Sequence, residues 1–309
     1  MDHNRLINSF SEEQKEFLTN LSIKLSQKPI LKKGHCFCLW SDLLGFGNVF
    51  SQNNWILSNK NIWKVYKRLA DAHLTAIYYS DPRQRILILN DGIAKTFHPN
   101  SKDDINNVLG IATFLRDCIM THISICTTEY EKGLPGCRSV LSFGENYAFT
   151  DFEIRYDDYV FNYSKPKGNS LSLSAQRLNN PLIVHNPADF QMNTAFSKAY
   201  ILESGGSKHG LKGDNFFIAQ DAINAIIKYS EEKGHFAVWV NDSEGMKLFI
   251  AYDRDNLDEV VMGFCFSSDI IHFENERLKT NVYTLLKFYP WDEKTSEFHF
   301  DILSREERF

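Results

Sequence analysis

No stretch of this sequence offers the ~20 consecutive apolar residues that a membrane-spanning helix requires, which argues against an integral membrane protein. Basic charge is not in excess either. Against 34 Lys and Arg stand 39 Asp and Glu, for a formal net charge of −5. That balance counts against a nucleic-acid binder, which normally carries a basic face, but not against a small anion held locally by metal ions. The six cysteines, Cys36, Cys38, Cys118, Cys126, Cys137 and Cys265, include no CxxC pair. Their spacing supports neither a zinc motif nor a disulfide framework, so buried thiols in a reducing cytosol are the reading. Cys36 and Cys38, two apart, would share one face of a strand. The first residues, MDHNRLINSFSEEQKEFL, are polar and acidic, unlike a secretory leader, and a cytoplasmic location is expected. Repeats and low-complexity linkers are also missing, so the 309 residues read as a single α+β domain with a terminal elaboration.

What is present is a chain of alternating elements. Residues 1–33 read as a helical lead-in, with Ser11 placed to cap and Phe17, Leu18, Leu21 and Leu25 at helical spacing. His35 to Ser41 is a first strand, and 53–74 reads as one or two helices. Arg85–Phe97 reads as two short strands joined at Asn90-Asp91-Gly92, a strong hairpin signal. A long helix then ends near Gly133, and CRSVLSFGENYAF returns to strand. Residues 163–180 read as loop or a weak hairpin. NTAFSKAYILESGG has an Asn N-cap and a Gly-Gly stop. Strand-like runs follow at NFFIA, HFAVWV, MKLFIAY and NVYTLLKFYP, with a helix over 220–233. The first half reads as a βαββαβ core in which strand one and the hairpin lie side by side.

Asp42 closes an apolar strand, where an unpaired carboxylate is costly and needs hydrogen bonds, a positive partner or a metal. Adjacency to the hairpin would bring Asp91 beside it. Two carboxylates that close repel unless a cation lies between them, and such oxygen ligands suit Mg²⁺ or Mn²⁺. Taken singly, Asp42 also reads as a turn or capping carboxylate, and Asp91 as ordinary Asn-Asp-Gly turn chemistry.

SDLLGF (Ser41–Phe46), LNDGIA (Leu89–Ala94), GCRSVLSFGENY (Gly136–Tyr147) and AFSKAYILE (Ala195–Glu203) occur in that order. In this order and spacing the chain resembles the class III nucleotidyl cyclases, specifically the pyrimidine cyclases of bacterial Pycsar antiphage systems. The resemblance runs from about residue 35 to 220. It implies a ferredoxin-like βαββαβ cyclase core over 34–234, after the lead-in, with 235–309 as a β-rich extension of the same domain. It also implies two divalent ions, Mn²⁺ or Mg²⁺, on Asp42, Asp91 and the Leu43 carbonyl. Gly45 and Gly47 would let backbone amides approach phosphate oxygens, and Phe46 would lie beside the nucleotide. The last of these segments would be the helix after the fifth strand. Many purine cyclases carry an Asn and an Arg four apart on that helix; here Ser197 and Ile201 hold those positions. Lys198 and Arg138 are the cations left to meet the developing charge.

Each has a plainer reading: Arg138 as a structural partner of Glu145, Lys198 as a solvated lysine, Phe46 as core, and His35 and His185 as structural. The implied reaction closes a pyrimidine NTP, UTP favoured over CTP, to its 3′,5′-cyclic mononucleotide with loss of pyrophosphate. By the same resemblance the enzyme is a homodimer with sites shared between chains, and its product is a messenger for a separate effector protein during phage infection. No nucleic-acid or membrane partner is implied. The competing readings are an inactive cyclase-like module that binds nucleotide or only dimerises, and a palm-type nuclease or polymerase. The acidic balance argues against the latter.

Overall fold

The computed structural model describes residues 31–56, 59–99, 107–149, 188–254 and 260–290, with residues 12, 15, 16, 19, 300 and 301. The lead-in over 1–33 and the loop over 163–180 therefore fall largely outside the described residues. Glu12, Lys15, Glu16 and Thr19 are helical. Lys33–Asn146 and Asp189–Phe309 form one compact unit. The other unit, Met1–Lys32 with Tyr147–Ala188, holds most of the residues left undescribed.

β1 (Leu31–Leu43) begins inside the expected lead-in and runs straight to Asp42. A one-turn helix α1 (Asn48–Ser51) follows, then α2 (Asn59–Tyr78), which starts later and ends later than the apolar spacing suggests. Ile56 stands outside it and is exposed. The hairpin is as read: β2 (Arg85–Leu89) and β3 (Gly92–Phe97) flank a two-residue turn, in which Asn90 takes a left-handed φ of 56°. Asn tolerates that conformation better than most residues. α3 (Asn107–Glu131) and β4 (Cys137–Phe149) complete the first half.

α3 corrects one expectation. By length and composition its residues Val108–Glu131 are apolar enough to cross a membrane, but two thirds of the most apolar 18-residue part of it is buried inside the fold. Val108, Ile111, Phe114, Leu115 and Ile119 pack against Phe37 and Leu39 of β1. Each such side chain contributes about 1.5–3 kcal/mol on leaving water.

The sheet order is β2-β3-β1-β4, the order of a βαββαβ core, and β1 pairs antiparallel with β3 from Phe37↔Phe97 to Asp42↔Gly92. The α+β class and the core expected from sequence therefore hold. The sheet continues through β5 (Phe216–Ala219), parallel to β4, into β9 (Lys279–Pro290), β8 (Val260–Glu274), β7 (Gly245–Ala251) and β6 (Phe236–Asp242), with β10 (Phe300–Asp301) on β9. β8 is the strand the sequence hides. Its first half is uniformly buried and its middle exposed, so no alternation marks it. α4 (Thr194–Gly205) has the expected Asn193 cap, whose side chain accepts from the Phe196 amide, and α5 (Gln220–Glu231) follows β5. Among the described residues α4 precedes the fifth strand rather than following it.

Strand alternation assigns the faces. Phe37 and Leu39 face α3, while Cys36, Cys38 and Trp40 face α4, packed on Ala195 and Ala199. All six thiols are buried. Asp42, in phase with Trp40, points to the α4 side.

Candidate active site

β1 and β4 meet through Ser41 Oγ and Ser139 Oγ at 2.7 Å and through the Leu44 amide on the Gly136 carbonyl at 3.0 Å. Both contacts fit one antiparallel register, which sets Arg138 directly across from Asp42. On its other side Asp42 faces Gly92, so Asp91 at the hairpin tip is its near neighbour.

Asp42 is half-buried, and its carboxyl is pushed up from 3.8 to about 7. Burial is the largest cause, followed by the negative charges of Glu203 and Asp91; Arg138 and Arg68 pull the other way. Three carboxylates thus converge where sequence reading placed two. Glu203 is the addition, one turn from the end of α4, buried and raised chiefly by that burial. Its signal was the same as that of Asp42: a carboxylate closing an apolar run, AYILE.

Arg138 does not pair with Glu145, which meets Lys33 at 2.5 Å. Its Nη1 lies 3.3 Å from Glu203 Oε1, and its Nε donates to the Gly213 carbonyl. Trp40 Nε1 helps pull the Glu203 carboxyl down, although it makes no hydrogen bond. Lys198 is elsewhere occupied. Its ammonium donates to Asp221 at 2.6 Å and to the Phe143 carbonyl at 3.0 Å.

The loop after Asp42 is held from behind by Arg68, a residue whose role no local sequence signal marks. Its guanidinium donates to Glu129 and to the Leu44 carbonyl, and lies 5.6 Å from the centre of the Phe46 ring. Phe46 is accordingly core, packed with Leu43, Ala72 and Ala76, although its ring also lines a cavity of about 470 Å³ with Lys64 and Lys67. Gly45 needs to be glycine, with φ of 66°. Gly47 does not: it caps α1 in ordinary helical geometry, with open space where a Cβ would go. Both are exposed, and among the described residues neither amide has an acceptor. The Leu43 carbonyl accepts the Phe46 amide at 3.3 Å and keeps its second lone pair.

The arrangement offers hard carboxylate and carbonyl oxygens at one strand end, with unengaged amides beside them. That donor set fits Mg²⁺ or Mn²⁺ rather than a thiophilic ion.

No protein-family model matches the chain, and no curated protein sequence matches it. Among solved structures it is similar to the adenylyl cyclase CyaB from P. aeruginosa, at 10% identity and a TM-score of 0.39, over 82% of this chain and 95% of that one. It is also similar to the guanylyl cyclase Cya2, at 11% identity and a TM-score of 0.42, over 88% and 99%. The strand order and the geometry around Asp42, rather than these likenesses, bear the weight of a functional assignment.

Proposed function

We propose that the chain is a metal-dependent nucleotidyl cyclase acting on a pyrimidine NTP, UTP ahead of CTP. The observation that carries this reading is the convergence of Asp42 and Asp91 at the ends of adjacent strands, with Asp42 pushed up to about 7. A carboxylate held that far from its ordinary range is an acid poised to exchange its proton for a metal ion.

Asp42, Asp91 and the Leu43 carbonyl would hold the ions, with Glu203 a further oxygen donor in reach. When bound, Mn²⁺ or Mg²⁺ neutralises triphosphate charge and acidifies the ribose 3′-hydroxyl. The chain's own residues do the rest. The Gly45 and Gly47 amides donate to phosphate oxygens. Arg138 turns from Glu203 to the triphosphate, meeting the charge that grows as pyrophosphate leaves. Lys198, bound to Asp221 in its own chain, reaches a phosphate only if a second copy brings one to it. A two-fold homodimer with shared sites would do this. In this reading 34–234 is the catalytic domain and 235–309 its extension. The enzyme is cytoplasmic and makes a messenger for a separate effector in antiphage defence.

Ser197 and Ile201, standing where purine cyclases carry Asn and Arg, favour the second reading, an inactive nucleotide-binding module. Incubating the protein with each NTP and Mn²⁺ and resolving the products by mass separates the two. A cyclic pyrimidine nucleotide with pyrophosphate is expected. Cyclic product from purine NTPs alone would overturn the substrate assignment, and no cyclic product from any NTP would leave the inactive module.

A further inference from the structure

On the opposite face of the sheet from Asp42 and Arg138, the alternation of β4 turns Cys137 and Ser139 toward α3. There they meet His122 and Cys126, one turn apart on that helix. The three ligand-type side chains are 3%, 1% and 0% exposed for His122, Cys126 and Cys137. Their donor atoms all lie within 4.8 Å of one another. Cys126 Sγ is 3.7 Å from Cys137 Sγ and 3.8 Å from His122 Nε2. Bonds of about 2.3 Å to sulfur and 2.0–2.1 Å to nitrogen in a tetrahedron set ligand atoms about 3.5–3.8 Å apart. The two Cys126 spacings match those edges, and the third pair lies within 4.8 Å.

A supporting shell orients the histidine. His122 Nδ1 lies 2.9 Å from Ser139 Oγ, which in turn is bonded to Ser41 Oγ. With Nδ1 as the donor, the lone pair on Nε2 faces Cys126, the tautomer a metal ligand needs. Cys137 Sγ also lies 3.5 Å from Nδ1, a weak sulfur contact that the serine bond outranks.

We propose that His122, Cys126 and Cys137 form a structural site for one thiophilic d¹⁰ ion, Zn²⁺ first. Two thiolates and an imidazole select such an ion, whereas the carboxylates on the other face select Mg²⁺ or Mn²⁺. The ion would pin α3 to β4 directly behind Arg138, and through Ser139 and Ser41 behind Asp42. The spacing of His122, Cys126 and Cys137 matches no zinc motif, because one helix and the following strand supply the ligands.

The test uses the full chain purified under reducing conditions and dialysed against chelator. Elemental analysis is expected to find one zinc per chain, and the Co²⁺-loaded protein to show a thiolate-to-cobalt charge-transfer band with tetrahedral visible bands. Asp42→Asn should keep the ion, which separates this site from the proposed catalytic one. Ser139→Ala, which keeps all the ligands, should weaken Zn²⁺ affinity by about 10–100-fold. Cys126→Ser with Cys137→Ser should lose the cobalt band. Should that pair fail to fold, the wild-type zinc content and cobalt spectrum still decide. Wild-type protein that binds neither Zn²⁺ nor Co²⁺ through sulfur, or whose Cys126 and Cys137 are recovered as a disulfide, overturns the proposal.

Discussion

Asp42 carries an electrostatic load that its neighbours only partly relieve. Its folded pKa of about 7 lies above the 3.8 of an unstructured aspartate, so between those values the folded chain holds a proton that the unfolded chain releases. The stability this contributes is complete below about pH 4 and is lost as the pH rises through 7. Asp42→Asn, which mimics the protonated acid, should therefore match the metal-free wild type near pH 4 and exceed it at pH 8. Allowing for its partial exposure, the gain is about 1–2 kcal/mol. Thermal melts in chelator at the two values check this; equal destabilisation at both would refute it. The same proton competes with metal. Mn²⁺ affinity should rise from pH 6 to pH 8, and calorimetry in buffers of different ionisation enthalpy should show proton release at pH 6 that fades by pH 8.

At the scale of elements, Arg68 ties α2 to α3 and to the loop after Asp42. With side-chain exposures of 11% and 4%, Arg68 and Glu129 are a buried pair. Arg68→Met leaves Glu129 charged and unpaired, which should cost about 3–5 kcal/mol in denaturant unfolding. Asn193→Ala removes the α4 cap and should cost about 1 kcal/mol by the same measurement. That cap was legible in sequence, as were the hairpin and the end of β1, because capping residues, Asn-Asp-Gly and an abrupt carboxylate are local signals. Glu203 closes AYILE with that same signal, but only the packing of α4 on β1 shows that it faces Asp42. Arg68, which acquires its meaning from elements far along the chain, has no local signal at all. β8 lacked alternation altogether. His122 could not be grouped with Cys126 and Cys137 before β4 was laid against α3.

Over the whole molecule, one sheet carries two chemically distinct clusters back to back, oxygen donors toward α4 and sulfur and nitrogen donors toward α3. β1 and β4 contribute to both through alternate residues. The strand order β2-β3-β1-β4 makes this possible by setting Asp42 between Arg138 and the Asp91 hairpin. A site completed by a second copy requires a dimer, so sedimentation velocity at micromolar concentration should give twice the 35.8 kDa chain mass, and a monomer there would contradict the shared site. The central claim is that Asp42 serves catalysis at the expense of stability. It is tested most directly by cyclic-nucleotide formation by Asp42→Asn with saturating Mn²⁺ at pH 8, the pH at which the metal-free variant is expected to be more stable than metal-free wild type. The result expected is a loss of at least about 100-fold against wild type; turnover near wild type with unchanged metal dependence would contradict it.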